Sequence, residues 1–119
     1  MPRAELDLLQ GTLDVLVLKA LSWGPRHGHA VATWIRSTTE EDLNIEDGAL
    51  YTALHRLEKR GLVEAEWGLS DNNRKAKYYE LTDTGRRALR QEAARWARYA
   101  GAVFKVLQAT STGAPAAAR

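Results

Sequence analysis

Residues 46–67 read EDGALYTALHRLEKRGLVEAEW and change from a helical pattern to a strand pattern within one short stretch. The first part predicts a helix from about Glu46 to Lys59, because its apolar residues recur at steps of three and four. These residues are Leu50, Leu54 and Leu57, with Ala53 beside them. Gly61 follows at the position where a helix end favours a left-handed residue, and residues 62–67 then alternate between apolar and polar side chains. A helix, a tight turn and a β-strand are therefore expected here.

A second strand and a long final helix are predicted downstream. Lys77 to Leu81 alternates as the partner strand, and the intervening segment, residues 68–76, is rich in turn formers and ends in basic residues. Thr82 or Asp83 can cap a helix that continues to about Ala109. Two series of residues seven apart form an a/d seam along this helix, which is typical of helix-to-helix packing. The seam residues are Leu89, Ala93, Trp96, Ala100, Val103 and Leu107.

Two helices are predicted upstream, over about Glu5 to Trp23 and His27 to Ser37, followed by a polar, acidic loop that ends near Asn44. The first helix carries apolar residues on more than one side and therefore needs cover on more than one side. A single small domain offers few ways to surround such a helix, which suggests a subunit interface as well as a core. The candidate interface residues on this helix are Leu6, Leu9 and Leu13, which join the seam of the final helix.

The predicted order is three helices, a strand, a hairpin loop, a strand and a long helix, which is the order of a winged helix-turn-helix. The predicted fold class is mainly α, with a small two-stranded β-hairpin as the wing and a long C-terminal helix. In this fold the third helix fits a DNA major groove and the hairpin lies against the neighbouring backbone. We expect residues 1–82 to form the DNA-binding domain, residues 83–109 a dimerisation helix and residues 110–119 a flexible tail.

The charge of the chain is unevenly placed, although its net value is only +2. Residues 1–50 carry four basic and eight acidic side chains, and residues 51–119 carry thirteen basic and seven acidic ones. A basic second half favours a polyanionic partner. Cations and hydrogen-bond donors fall on the polar side of the third helix and in the hairpin, as phosphate and base contacts require. The candidates are Tyr51, Thr52, His55, Arg56 and Lys59 on the helix, and Asn72, Asn73, Arg74, Lys75 and Lys77 in the hairpin.

Several classes of function are disfavoured by composition. The chain has no cysteine and only three histidines, and no serine or carboxylate is placed beside them in a catalytic pattern, so we expect no enzyme activity and no cofactor. His27 and His29 would point about 200° apart on a helix, which argues against a shared metal ion. Capping the second helix or touching a DNA phosphate is favoured for them instead. No apolar stretch is long enough to span a membrane and no cleavable signal is visible, so a cytoplasmic location is expected.

The chain contains a set of longer motifs, namely GALYTALHRLEKRGLV at 48–63, Trp67, KYYELTDTG at 77–85, LQGTL at 9–13 and PRHGH at 25–29. Together these motifs resemble the PadR family of bacterial transcriptional regulators. The resemblance extends over roughly residues 5–107. The chain departs from it at Thr52, where many members carry proline, and at His29, where tyrosine or a similar residue is common. Both departures bear on contacts with bases or phosphates.

The resemblance implies a homodimeric repressor that binds a palindromic operator in double-stranded DNA, with a single C-terminal helix as in the compact subgroup of the family. Some members of that subgroup bind drugs or aromatic compounds at the dimer interface through a tryptophan of the final helix, and Trp96 occupies the matching position. Trp96 either fills the dimer core or lines a slot for a small aromatic ligand. The alternative function is a winged-helix module that binds a protein or a small molecule without DNA.

Overall fold

The computed structural model describes residues 11–111, which form four α-helices and a three-stranded antiparallel sheet. In chain order the elements are α1 (Thr12–Ala20), β1 (Arg26–His27), α2 (Gly28–Thr38), α3 (Asp47–Lys59), β2 (Val63–Leu69), β3 (Lys75–Leu81) and α4 (Asp83–Leu107). The predicted class, mainly helical with a hairpin, is confirmed, and one short strand is added. Leu6, Leu9 and the predicted tail from residue 112 onward lie outside the described residues. Among residues 11–111, no helix is both long and apolar enough to cross a membrane.

The hydrophobic core lies between the first three helices and the inner face of the sheet. α3 buries the face that its sequence predicts, and the residues at 0% exposure are Leu50, Ala53, Leu54 and Leu57. Burying each leucine contributes roughly 1.5–3 kcal/mol, so α3 is firmly held on its apolar side and presents its polar side to solvent. α2 buries Val31 and Ile35 as predicted, whereas Trp34 is only half-buried.

α1 is surrounded by its own chain more fully than its sequence suggests. It contacts α2, α3 and α4. Its buried residues are Leu13, Val15, Val17, Leu18 and Ala20. A partner subunit is therefore not needed to cover them, because α4 packs against the helix and supplies the missing side. Leu13, a predicted interface residue, is part of the core of its own chain.

The end of α3 forms the turn that Gly61 predicts. Gly61 has a φ of 75°, and its N–H donates to the Glu58 carbonyl at 3.0 Å. The N–H of Leu62 donates to the Leu57 carbonyl, also at 3.0 Å. This pair of bonds is a Schellman motif, which satisfies the carbonyls at the helix end. The motif leads directly into β2 and so fixes the hairpin relative to α3.

The sheet has three strands in the order β1-β3-β2, one more than predicted. The added strand consists of Arg26 and His27, which pair with Tyr79 and Tyr78 of β3. Two residues are too few to show an alternating pattern, so hydropathy gives no sign of this strand. The added pairing fixes the start of α2 to the hairpin.

The loop of the hairpin is shorter than predicted, because β3 begins at Lys75 rather than at Lys77. The Ser70 N–H donates to the Arg74 carbonyl at 2.8 Å and closes a tight turn. Asn73 adopts a φ of 62° in this turn, a conformation that asparagine tolerates better than most residues. Both lysines of the wing therefore stand on a strand, where the pairing sets their orientation.

α4 begins against the corner between α3 and β2. Thr82 caps it as predicted, because its hydroxyl accepts from the Gly85 N–H at 3.0 Å and donates to the Gly61 carbonyl at 2.7 Å. A Cβ at Gly85 would lie 2.0 Å from the Leu62 carbonyl oxygen, so only glycine fits at this position. The helix has 25 residues, a length of about 37 Å, and ends two residues before the predicted Ala109.

Candidate nucleic-acid interface

The polar side of α3 forms a shallow depression opposite the buried leucines. Its walls are the side chains of Tyr51, Thr52, His55, Arg56 and Lys59. All five are exposed, and all five belong to the set that the sequence assigns to this side of the helix. Hydroxyl, imidazole and cationic groups of this kind can donate to phosphate oxygens or to base edges. An exposed helix with such a face fits the major groove of B-DNA, which is about 12 Å wide.

Tyr51 connects this depression with a second groove between the start of α2 and the hairpin. Its side chain contributes to the walls of both. The ring lies across Gly28, where an added Cβ would be 2.6 Å from Cε1 of Tyr51, so this ring position requires a glycine. The second groove has a volume of about 590 Å³, and hairpin residues 70–72 and 74–77 form much of its wall. The polar side of α3 and the hairpin thus form one continuous surface.

The hairpin separates its charges between its two faces. Lys75 and Lys77 pair across the strands with Leu69 and Trp67, so these four side chains share one face. This face is turned towards α3, because Lys77 Nζ lies 3.7 Å from Glu58 Oε1. The acidic residues of the strands are on the opposite face and are Glu64, Glu66 and Glu80. The basic face therefore adjoins the polar side of α3, and the acidic face is turned away from it.

The cations of this surface differ in how freely they can bind an outside anion. Lys77 shares its charge with Glu58, and Lys75 Nζ lies 5.6 Å from the centroid of the exposed Trp67 ring, a cation–π distance. Within residues 11–111, the side chains of Lys59 and Arg74 take part in no ion pair. Lys59, Arg74 and Lys75 are therefore the cations best able to attract a phosphate.

His27 and His29 lie at the start of α2 and contribute to the second groove. His27 caps the helix as predicted, with Nδ1 accepting from the Ala30 N–H at 3.1 Å. The expectation that the two side chains point away from each other is wrong, because His27 precedes the helix. Their rings instead stack, with centroids 6.4 Å apart and planes 15° apart. In the part of the chain from residue 11 to 111, no group of three or more His, Asp or Glu residues is placed to hold a metal ion.

Arg56 has a partner that sequence reasoning missed. Its Nε donates to Oδ2 of Asp14 on α1 at 3.2 Å, and its Nη2 donates to the other carboxylate oxygen of Asp14. Arg60 Nη1 lies 3.7 Å from the same carboxylate. The hydrogen bond with Asp14 raises the pKa of the Arg56 guanidinium above its ordinary value. The sole hint in the sequence is that Asp14 is an acidic side chain within the otherwise apolar stretch 13–18.

A third groove, of about 820 Å³, lies between α1 and α4 and includes Trp96 and Tyr99 in its wall. Trp96 Nε1 donates to Thr12 Oγ1 at 3.3 Å. The Trp96 and Tyr99 rings meet edge to face with centroids 5.9 Å apart. Trp96 is still 36% exposed, so part of its indole ring is open to the groove. Further exposed apolar residues follow along α4, namely Val103, Phe104, Val106 and Leu107.

Comparison with known proteins agrees with this arrangement. A sequence profile of the Transcriptional regulator PadR-like family matches residues 17–91, from α1 into α4. The chain belongs to this family. Its fold is similar to that of a transcriptional regulator from Clostridium thermocellum, with a TM-score of 0.75, 27% identity and coverage of 87% of this chain and 97% of the other. A PadR-like transcriptional regulator from Bacillus cereus has a TM-score of 0.74 and 26% identity, over 86% of this chain and 97% of the other. A PadR family transcriptional regulator from Eggerthella lenta has a TM-score of 0.69 and 36% identity, over 85% of this chain and 86% of the other.

The predicted PadR resemblance is therefore confirmed, and the chain is a transcriptional regulator of the winged-helix, DNA-binding type rather than an enzyme. The surface formed by α3 and the hairpin is its candidate nucleic-acid interface. Gly28 and Asp14 shape this surface without belonging to the predicted contact set. Their roles depend on contacts with α3, which neither composition nor periodicity shows.

Proposed function

We propose that the chain acts as a homodimeric repressor that binds a palindromic operator through α3 and the hairpin of each subunit. The observation that carries this proposal is the continuous surface joined at Tyr51, which combines the polar side of α3 with the basic face of the hairpin. Residues 1–82 would supply this surface, and residues 83–109 would join the subunits. Two copies related by a twofold axis would then place their α3 helices about 34 Å apart, one turn of DNA.

The proposed DNA contacts on this surface divide by role. Lys59, Arg74 and Lys75 would bind phosphates on any sequence, with an affinity that falls as salt rises. Lys77 would contribute less, because Glu58 already shares its charge. The residues proposed to contact base edges from α3 are Tyr51, Thr52 and His55, whose hydroxyl and imidazole groups suit the major groove.

Asn73 and the two histidines extend the proposed contacts beyond the cations. Asn73 stands exposed in the tight turn of the hairpin, where its amide can reach a phosphate or a base edge. His29 is exposed in the first turn of α2, and the positive end of the helix dipole favours an anion at that place. His27 would act mainly through the cap that holds this helix start in position.

α4 would provide the contact between subunits. Trp96, Val103 and Leu107 of the seam are 36%, 38% and 72% exposed in the single chain. A contiguous row of exposed apolar residues is typical of an interaction surface, and a second α4 would cover it by a/d packing. The small seam residues that permit close approach are Ala93 and Ala100. Leu89 already packs against the core of its own chain and would add least.

The groove beside Trp96 supports a further part of the proposal, release from DNA by a small aromatic ligand. Its volume of about 820 Å³ falls within the range of roughly 300–1,000 Å³ that is usual for ligand pockets. The open part of the indole ring offers a stacking surface. A ligand bound there would lower DNA affinity only if it prefers a different separation of the two α3 helices.

Selection of bound fragments from randomised duplexes by the purified full chain tests the proposed function. We expect an inverted repeat with half-sites about one helical turn apart, steep salt dependence and the mass of two chains in light scattering. A reporter fused to the selected operator should be transcribed less in the presence of the protein. A chain that binds no duplex even at low salt, but binds a protein or a small molecule, would favour the alternative winged-helix module.

A further inference from the structure

We infer that Asp14 is a positioning residue that holds Arg56 for bidentate recognition of a guanine in each half-site, an inference that rests on the proposed function. Asp14 occupies one edge of the Arg56 guanidinium, the edge formed by Nε and Nη2. An arginine has five N–H donors in a planar fork. The two bonds to Asp14 therefore leave the end of the group, formed by Nη1 and Nη2, for a second bidentate acceptor. Within residues 11–111, Nη1 of Arg56 has no hydrogen-bond partner.

The pair is placed to act at the surface assigned to DNA. Arg56 contributes to the wall of the α3 depression beside Thr52 and His55, and its side chain is 48% exposed, whereas that of Asp14 is 15% exposed. Asp14 stands on α1, whose neighbouring apolar residues are buried in the core. The carboxylate is therefore a fixed support, and the exposed guanidinium is oriented before DNA arrives. Such preorganisation reduces the side-chain entropy that binding would otherwise cost.

The charge of the pair favours a base edge over a phosphate as the acceptor. The carboxylate of Asp14 forms its hydrogen bonds with Arg56 and lies 3.7 Å from Arg60 Nη1, so it offsets part of the positive charge of Arg56. Phosphate binding depends mainly on that charge. Guanine presents O6 and N7 as two parallel acceptors in the major groove and needs a correctly oriented fork rather than net charge. Lys59 and Arg74, which have no ion-pair partner within residues 11–111, are better suited to phosphates.

The test compares duplex selections by the parent chain with selections by Arg56→Lys, Asp14→Asn and Asp14→Ala. The parent should prefer guanine at one position of each half-site by roughly 5- to 150-fold, the range for a bidentate contact. Arg56→Lys keeps the charge but loses the planar fork, so it should lose the preference at this position alone. Asp14→Asn and Asp14→Ala should reduce the preference at the same position, because neither can accept two hydrogen bonds through a carboxylate.

Two controls separate a loss of Arg56 positioning from a loss of folding or of binding to all sequences. Glu80→Gln removes a carboxylate from the acidic face of the hairpin and should leave the guanine preference unchanged. Thermal unfolding identifies variants that fail to fold. If the Asp14 variants do not fold, Arg56→Lys still tests the inference, because it alters an exposed group. Arg56→Lys should lower affinity only for sequences that carry the guanine, whereas loss of a phosphate contact would lower affinity for all sequences equally.

The results that would overturn the proposed function differ from those that would overturn this inference alone. A parent chain that binds no DNA would overturn the proposed function and this inference with it. A parent that binds DNA while Arg56→Lys keeps every base preference would overturn the inference alone, as would Asp14→Asn with the full guanine preference. Tighter binding of Asp14→Asn to all sequences would show that Asp14 competes with phosphate for Arg56, which also overturns the inference.

Discussion

Replacing Gly85 by alanine is expected to loosen the corner where α4 begins. The added Cβ would lie 2.0 Å from the Leu62 carbonyl oxygen and 3.0 Å from the carbonyl carbon. Both are backbone atoms, and the same oxygen accepts from the Thr82 N–H at 3.1 Å. The methyl group therefore fits only if the start of α4 moves away from Leu62 and breaks that hydrogen bond.

The magnitude follows from the interactions that this movement removes. The bonds from Thr82 to the Leu62 and Gly61 carbonyls contribute about 0.5–1.5 kcal/mol each, and the helix cap contributes about 1 kcal/mol. Alanine returns up to about 1 kcal/mol through its higher helix propensity. We therefore expect Gly85→Ala to lower the free energy of unfolding by about 1–4 kcal/mol.

Gly101→Ala on the same helix is the matched control, because a Cβ at that exposed position meets nothing within 4 Å. It should raise the free energy of unfolding by about 0.5–1 kcal/mol. Urea unfolding followed by circular dichroism, at one fixed protein concentration, measures both variants. A Gly85→Ala midpoint at or above that of the parent would refute the close approach between Gly85 and Leu62.

Four further variants test the surfaces proposed to contact DNA and the partner subunit. Arg74→Ala or Lys75→Ala should weaken binding to every duplex and reduce the slope of log affinity against log salt by about 1.8 per dimer. Anisotropy titrations between about 50 and 200 mM salt measure this slope. A slope equal to that of the parent would contradict the proposed phosphate contacts of the hairpin. Val103→Glu should place a charge in the proposed subunit contact and halve the mass measured by light scattering. A dimer that persists in this variant would exclude the proposed seam. Gly28→Ala should displace the Tyr51 ring and reduce affinity for the selected operator in gel-shift titrations, with Gly101→Ala as the control. Unchanged affinity would show that Tyr51 does not contact DNA.

Local patterns are sufficient to predict most of the fold. The buried face of α3 and the turn at Gly61 depend on residues only a few positions apart, so helical periodicity and glycine placement indicate both. β1 was not predicted, because it depends on residues that are distant in sequence. Arg26 and His27 become a strand only through pairing with Tyr79 and Tyr78, which lie far along the chain and leave no local signal.

In the candidate site, too, the features set by nearby residues could be predicted and those set by distant contacts could not. The polar side of α3 follows directly once its apolar side is known, and the structure brings that side together with the hairpin as expected. Arg56 and Lys59, however, look equivalent in the sequence, yet one is bonded to Asp14 and the other has no ion-pair partner within residues 11–111. Lys77 likewise resembles Lys75 until its pairing with Glu58 is known. Which cations are free depends on contacts between distant elements, and composition cannot show them.

The corner at Leu62 joins the two elements that the proposed function must coordinate. The N–H of Leu62 closes α3 through Leu57, and its carbonyl accepts from Thr82 at the start of α4. No free linker therefore separates the helix proposed to read DNA from the helix proposed to join subunits. α1 is also bonded to α3 through Asp14 and forms the opposite wall of the Trp96 groove. A ligand that moved α1 relative to α4 would thus act on α3 from both sides.

This rigid connection predicts an effect of Thr82→Ala on operator binding, although Thr82 lies off the proposed DNA surface. The substitution removes the hydroxyl that caps α4 and bonds to Gly61, so the angle between α3 and α4 becomes less defined. Affinity for the proposed palindromic operator should fall, because both α3 helices of the proposed dimer must be correctly spaced at once. Affinity for an isolated half-site should stay near that of the parent. Equal losses on the half-site and on the full operator would show that the corner stabilises the domain without setting the spacing.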